Sequence, residues 1–196
     1  MELSEQHIQG LGVALNEATL LGIEASPAKR LVGATFAVLT LPESGPAPKD
    51  SRFQFVFDPV GRIAASLRLG RWDDRAAKVE KFSVEQLLEI AQSFKCPIYG
   101  WEFFDIHEKD FPPWSDRLSL DWRSGEDGLS HSLSFSQDGG TRHLDGCVWF
   151  DSFTICRPDG NELALEEFIA GGKRWWDALY AGDPRTEGSG IIPAKQ

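Results

Sequence analysis

Apolar and polar residues follow one another along the chain in patterns that predict several β-strands. Residues 17–41 are rich in apolar and β-branched side chains and are interrupted at residues 26–28, which predicts two strands joined by a turn. Further strands are predicted at residues 98–105, 117–123 and 129–136, with one or two more between residues 142 and 157. Because the connections are short, we expect neighbouring strands to pair mostly in antiparallel fashion.

Alternation of apolar and polar residues is clearest after a proline-rich loop. Phe53, Phe55 and Phe57 lie on one face with Arg52, Gln54 and Asp58 close to the other, and the sequence Pro-Val-Gly at residues 59–61 predicts a hairpin turn behind them. The returning strand, residues 62–69, carries an apolar residue at every second position. We therefore expect one of its faces to join the core and the other to meet water.

Two main helices are predicted, and the first covers about residues 83–94. It begins with a capping box, because the Ser83 hydroxyl can accept from the backbone of Gln86 while the Gln86 side chain reaches back. Its apolar stripe comprises Val84, Leu87, Leu88, Ala91 and Phe94. Ser4 is also a suitable helix cap, but the glycines at residues 10–12 predict that such an opening helix ends early.

The second main helix, at about residues 162–181, has an amphipathic pattern. Its predicted buried stripe comprises Leu165, Phe168, Ile169, Trp176 and Leu179. Gly171 and Gly172 interrupt the helix, and a glycine costs a helix about 1 kcal/mol relative to alanine. The pair therefore marks either a kink or a close contact with another helix.

Together these elements predict an α+β fold with a mainly antiparallel sheet. We expect one domain over residues 1–182, followed by a loose tail at residues 183–196. Strands followed by a helix occur twice along the chain. A duplicated unit, with halves at residues 1–110 and 111–182, is therefore an alternative to one continuous sheet with helices on one face.

Composition and charge limit the classes of function. The chain of 196 residues is 41% hydrophobic and 26% charged, which is ordinary for a folded domain. No apolar run reaches the roughly 20 residues that cross a membrane, and the first residues lack the pattern of a secretory signal, so we expect a cytoplasmic protein. With a net charge of -10, the chain should repel nucleic acid and anionic membranes, whereas a basic protein partner suits it.

Cysteines, histidines and short motifs indicate neither a metal nor a cofactor. Cys96, Cys147 and Cys156 are odd in number and lie far apart, which does not fit a disulfide framework or a zinc finger. With a two-residue turn at residues 139–140, Ser136 is predicted opposite His143, which puts His131 and His143 on opposite faces of a hairpin, where they cannot share a metal. A three-residue loop would put both on one face but offset along the strands. The sequence also has no nucleophile elbow, phosphate-binding loop or dinucleotide fingerprint.

A cluster of acidic and imidazole side chains is the candidate catalytic site. Glu102, Asp105 and His107 lie near the end of a predicted strand. If that strand continues to His107, Asp105 and His107 share one face, where the carboxylate could orient the imidazole or both could bind a metal.

Seven tryptophans suggest a different kind of site. Trp72 is followed by Asp73 and Asp74, and a tryptophan beside carboxylates suits a contact with another protein. Trp175 and Trp176 point about 100° apart on a helix, so we expect one in the core and the other at the surface. We expect Trp175, which follows two basic residues, to contact a partner or a second copy of the chain in a homo-oligomer.

Two hypotheses from different classes of function follow. The first is a non-enzymatic, acidic, protein-binding module of bacterial type, for example one that neutralises a basic toxin as an immunity protein does. It depends on the acidic charge, the surplus of tryptophan and the absence of common catalytic motifs. The second is a metal-dependent or carboxylate-based hydrolase, acting for example on a carbohydrate, that uses Glu102, Asp105 and His107. The sequence favours the first hypothesis.

Overall fold

A computed structural model describes residues 2–74, 76–94, 96–98, 102–106, 114–125 and 128–192. The strands are β1 Thr19–Ser26, β2 Leu31–Ala37, β3 Arg52–Leu69, β4 Lys78–Glu80, β5 Leu120–Arg123, β6 His131–Asp138, β7 Arg142–Cys156 and β8 Glu162–Leu163. The α-helices are α1 Glu5–Leu15, α2 Leu87–Gln92 and α3 Leu165–Tyr180, and short 3-10 turns lie at Pro27–Lys29, Val84–Gln86 and Pro184–Thr186. None of the helices in the described ranges combines the length and apolar character that crossing a membrane requires.

The strands found in the described residues form one antiparallel sheet. Its central order is β1-β2-β3-β7-β6, with β4 and β5 paired to β3 and β8 paired to β7. The predicted α+β class with a mainly antiparallel sheet is therefore confirmed. Strands from both predicted halves of the chain join through the long ladder between β3 and β7.

The predicted hairpin turn in the third strand is wrong, because β3 continues through it as one strand of 18 residues. Strand β7 pairs with β3 on both sides of a register shift between Val60 and Arg62. Pro59 has no N–H to give to the ladder, and the Gly61 N–H donates to the Gly128 carbonyl at 3.0 Å. The turn-forming residues thus produce a β-bulge, because β7 is long enough to hold both halves of β3.

An aromatic cluster forms the core between the sheet and the helices. Phe55 lies at its centre, with ring centroids between 5.2 and 6.3 Å from those of Phe36, Phe57, Phe104, Phe153 and Phe168. Fully burying a phenylalanine side chain contributes about 1.5–3 kcal/mol. The alternating phenylalanines of β3 therefore form the core face that the sequence predicted.

Helices α1 and α3 pack closely and in the same direction because glycines leave room between them. A Cβ atom on Gly10 would lie 2.6 Å from Ile169 Cγ2, and one on Gly172 would lie 2.6 Å from the Ala14 Cα. Helix α1 therefore continues to Leu15 and does not end at its glycines as predicted. For the glycine pair in α3 the sequence predicted either a kink or a close contact with another helix. Gly172 makes the close helix contact, with Ala14 of α1.

The helix predicted at residues 83–94 is shorter than expected. Its capping box is present, with the Ser83 N–H donating to Gln86 Oε1 at 2.9 Å. The first turn is a 3-10 turn, and the α-helical part ends at Gln92. Helix α2 packs against β1, where a Cβ on Gly22 would lie 2.9 Å from Leu88 Cδ1.

The remaining predicted strands are present with shifted bounds. The strand predicted at residues 117–123 begins only at Leu120, and the region at residues 142–157 forms the single strand β7. The described part of residues 98–105 forms no regular strand, although Phe104 makes an isolated bridge to Leu133 of β6. This short bridge is sufficient to place Asp105 beside β6.

Residues 183–191, predicted as part of a loose tail, are anchored to the rest of the protein. Arg185 Nη1 donates to the Gly45 carbonyl at 3.3 Å. Thr186 is buried, and Ile191 packs against a small apolar cluster at the C-terminal half of α3. The predicted loose tail is therefore wrong for these residues.

Candidate functional site

The face of β3 opposite the core carries polar side chains in register with those of β7 and β6. We call this the polar face, and it comprises Arg62, Ala64, Ser66 and Arg68 of β3, Trp149, Cys147, Asp145 and His143 of β7, and Ser132, Ser134, Ser136 and Asp138 of β6. The sequence predicted that this face of residues 62–69 meets water. That prediction is wrong for Ala64, Ser66 and Arg68, all of which are buried.

The segment at residues 114–119 covers the middle of the polar face. Trp114 packs on Ala64 and Cys147. The Ser66 hydroxyl donates to the Arg117 carbonyl at 2.7 Å. Sequence periodicity could not predict this cover, because a segment without regular alternation provides it.

Asp145 is the centre of a buried hydrogen-bond network on the polar face. Its carboxylate accepts from Arg68 Nη2 and Ser136 Oγ, and His143 Nε2 lies 3.2 Å from Asp145 Oδ1. A nucleophilic serine needs an imidazole as its base, but here Ser136 and His143 both bond to the carboxylate. The network therefore joins β3, β6 and β7 and is not arranged for acyl transfer.

Cys147 is a buried thiol beside this network. The Ser134 hydroxyl donates to Cys147 Sγ at 3.3 Å. Burial raises the pKa of the Cys147 thiol to about 12. The thiol therefore stays protonated at neutral pH and is a poor nucleophile.

The β5 edge of the polar face carries a partly exposed charge cluster. Arg62 Nε donates to Asp121 Oδ1 at 2.8 Å, and Arg123 Nη2 donates to Asp121 Oδ2 at 3.1 Å. The Arg62 guanidinium also lies 4.7 Å from the centroid of the Trp149 ring. Partial burial raises the pKa of Asp121, but the hydrogen bonds from the two arginines outweigh it and hold the pKa below its usual 3.8.

Asp105 and His131 form a second carboxylate–imidazole pair, shorter than that of Asp145 and His143. His131 Nδ1 lies 2.7 Å from Asp105 Oδ2, and the Ser132 N–H donates to Asp105 Oδ1 at 2.7 Å. Asp105 has a φ of 50°, a left-handed conformation that is uncommon for a residue other than glycine. The pair can orient an imidazole for proton transfer, with both side chains partly exposed.

The sequence predicted a different partner for Asp105. His107 lies outside the described residues, and the described chain at Asp105 is not in a regular strand. Glu102 is exposed, and no contact among the described residues brings it to the Asp105–His131 pair. His131 was missed as the partner because only the pairing of residues 103–105 with β6 brings the two side chains together.

His131 and His143 lie on opposite faces of the β6–β7 hairpin, as predicted. His131 is opposite Phe150 and His143 is opposite Asp138. The register differs by two residues from the predicted one, which placed Ser136 opposite His143. Within the described ranges, no three metal-binding side chains of His, Cys, Asp or Glu come together.

The loop after β3 presents Trp72 to solvent. Trp72 is 59% exposed, and Leu69, three residues earlier in the chain, is also exposed. Asp73 Oδ1 lies 3.4 Å from Arg71 Nε at the surface. Asp74 instead holds the loop, because its Oδ1 accepts from the Ala76 N–H at 2.8 Å.

Trp175 does not lie at the surface, and the prediction of an exposed Trp175 is wrong. It is 4% exposed and packs in a cluster with Leu41 and Leu179. Trp176, predicted in the buried stripe, is partly exposed and donates from Nε1 to the Val13 carbonyl at 3.1 Å. The roles are exchanged because the chain after β2 covers the Trp175 side of α3.

Comparisons with protein-family models, with curated proteins and with solved structures gave no significant match. The function must therefore be argued from the residues and their arrangement.

Proposed function

We propose that this protein is a non-enzymatic, acidic module that binds a basic protein. The observation that carries the proposal is Trp72, whose side chain is 59% exposed. Tryptophan is the residue type most enriched at the energetic centres of protein interfaces, where it contributes a large apolar area and an N–H donor. Leu69, three residues before Trp72 in the chain, is also exposed.

The loop that carries Trp72 is held in place before any partner binds. Arg117 Nη1 lies 3.4 Å from the Asp74 carbonyl, and Arg117 Nη2 donates to the Ala77 carbonyl. Ordering a loop on association costs free energy, so a loop that is already braced favours binding.

The charge of the protein supports a basic partner. The first 28 residues contain no lysine or arginine, and their four acidic residues are exposed, namely Glu2, Glu5, Glu17 and Glu24. The Trp72 loop itself carries both signs of charge. We therefore assign the apolar anchor to Trp72 and the attraction of the partner to the field of the whole protein. Neutralisation of a basic toxin is one concrete form of such binding.

The experiment is quantitative affinity capture from an extract of the source cells with the full chain as bait. We expect a basic protein to be retained in stoichiometric amounts by the wild type, and its affinity to fall by a factor of about 30 for Trp72→Ala, as for a hot-spot residue. Tyr180→Ala is the matched control, because Tyr180 is an aromatic residue with a similar exposure of 56%. Equal retention by wild type and Trp72→Ala, or no stoichiometric protein at all, would contradict the proposal.

A second candidate function is hydrolysis, which the Asp105–His131 pair favours. Backbone strain of the kind found at Asp105 is often retained at active sites. The purified protein would be assayed against glycoside and ester substrates, with metal analysis of the same sample. Turnover that disappears in His131→Gln would support the hydrolase, and bound metal lost in His107→Ala would support its metal-dependent form.

A further inference from the structure

A groove of about 330 Å³ lies between the loop after β2, the turn after β7 and the first half of α3. Apolar residues form most of its surface, namely Leu41, Phe53, Leu163 and Phe168, with Pro42 and Pro48 on the side of the loop. This volume is at the lower end of the roughly 300–1,000 Å³ that is typical of ligand pockets. The groove therefore suits a small ligand with an apolar body.

The wall of the groove is fixed by hydrogen bonds between the loop and α3. The Leu41 N–H donates to the Gly171 carbonyl at 3.0 Å, and Arg174 Nε donates to the Leu41 carbonyl at 3.0 Å. A groove built in this way exists before a ligand arrives, so little ordering is required on binding.

The carboxylates at the groove already have partners. Asp50 is paired with Arg52 at 2.6 Å, Glu167 with Arg174 at 2.7 Å, and Asp159 accepts from Asn161 Nδ2 at 2.9 Å.

Arg157 is different from the other charged groups of the groove. Across the described part of the chain, its guanidinium has no hydrogen-bond partner, and its positive charge acts through space on Asp159, whose pKa it helps to lower behind the hydrogen bonds from Asn161. A guanidinium presents a planar set of N–H donors that matches a carboxylate.

We propose that this groove binds a small carboxylic acid with an apolar body, its carboxylate on Arg157 and its body on the apolar floor. One negative charge fits because the N–H donors of the Arg157 guanidinium have no hydrogen-bond acceptor among the described residues. A second negative charge on the ligand would be repelled by Asp159 and Glu167, which line the same groove. A cationic ligand would be repelled by Arg157, and two of the three carboxylates, Asp50 and Glu167, are already paired with arginines. This binding is separate from the proposed contact at Trp72 and does not depend on it.

The test is an NMR titration of the full chain with probes that share one ring and differ in charge: benzoate, benzamide, benzylamine and phenyl phosphate. We expect benzoate to shift the amide resonances of Leu41, Leu163 and Phe168 and to bind at least about tenfold more tightly than the other three, as one charge-assisted hydrogen bond allows. Arg157→Gln should weaken benzoate binding by about tenfold, because the ion pair is lost. Arg71→Gln removes an exposed arginine that does not line the groove, and it should leave benzoate binding unchanged.

Three results would overturn the proposal: no shift at the groove residues with millimolar benzoate, equal binding of benzoate by Arg157→Gln and the wild type, or tighter binding of benzylamine or phenyl phosphate than of benzoate. Arg157 is exposed, so its replacement should not disturb folding, and a thermal melt of the variant checks this. Capture of a protein partner through Trp72 would neither support nor contradict the groove, which keeps the two proposals distinguishable.

Discussion

Arg68 and Asp145 form an ion pair diagonally across β3 and β7, and their side chains are only 8% and 7% exposed. Removing two charges from water costs about as much as their attraction returns, so such a pair contributes little net stability. Loss of one partner is much more costly, because the other charge is then buried without compensation.

We therefore expect Asp145→Asn to lower the free energy of unfolding by about 3–5 kcal/mol. The measurement is urea unfolding followed by fluorescence. Asp73→Asn is the control, since it disrupts an exposed ion pair with Arg71 and should cost at most about 1 kcal/mol. The double variant Arg68→Met/Asp145→Leu should recover much of the lost stability. A cost below about 1 kcal/mol for Asp145→Asn would show that the pair is not buried as described.

The close contact of α1 and α3 predicts an unusual effect of alanine in a helix. Gly172→Ala should destabilise the protein by about 1–3 kcal/mol through overpacking, although alanine is the better helix former. The new methyl group would meet the backbone of Ala14. Gly171→Ala is the matched control: it meets the hydroxyl of Thr40, which can rotate, so its cost should be smaller. Thermal melts of both variants show which substitution costs more stability. A Gly172→Ala variant more stable than the wild type would contradict the close packing of α1 and α3.

The thiols should react in a fixed order. Burial raises the pKa of Cys147 to about 12, so we expect this residue to resist iodoacetamide in the native protein at pH 8 and to react only after unfolding. Cys96 and Cys156 are both partly exposed, so both should react before Cys147. Mass spectrometry of peptides after timed alkylation measures this order. Fast native labelling of Cys147 would contradict the cover provided by Trp114.

Asp121 should contribute stability that depends on pH. Its pKa in the folded protein is below the usual 3.8, because the arginines outweigh burial. Stability from such a group is complete above its unfolded pKa and is lost as the pH falls through its folded pKa. Asp121→Asn should therefore be less stable than the wild type at pH 7, and the difference should shrink below pH 3.8. Unfolding at a series of pH values measures it, with Asp116→Asn at an exposed aspartate as the control. A difference that does not change with pH would exclude this linkage.

The local sequence pattern was sufficient to predict those features of the fold that depend on residues close together in the chain. The phenylalanines of β3 are buried on one face, and the capping box at Ser83 forms as its spacing indicates. Both depend on residues within one strand or one helical turn, so the sequence alone could predict them.

Features that depend on a distant partner could not be read in this way. The Pro-Val-Gly sequence in β3 makes a bulge because β7 pairs on both sides of it. Which tryptophan of α3 is buried depends on where the chain after β2 crosses the helix. The partner of Asp105 follows from the register of β6, 26 residues further along the chain. In each case the decisive contact lies outside the window in which a pattern is visible.

The glycine-mediated contact of α1 with α3 has a consequence during synthesis on the ribosome. The residues that meet, near positions 10 and 170, are separated by about 160 residues of chain, which take roughly 10–30 s to translate. Throughout that time the side of α1 that carries Gly10 and Ala14 has no α3 to pack against. The contact of α1 with α3, and with it the native packing, can therefore form only after translation has passed α3.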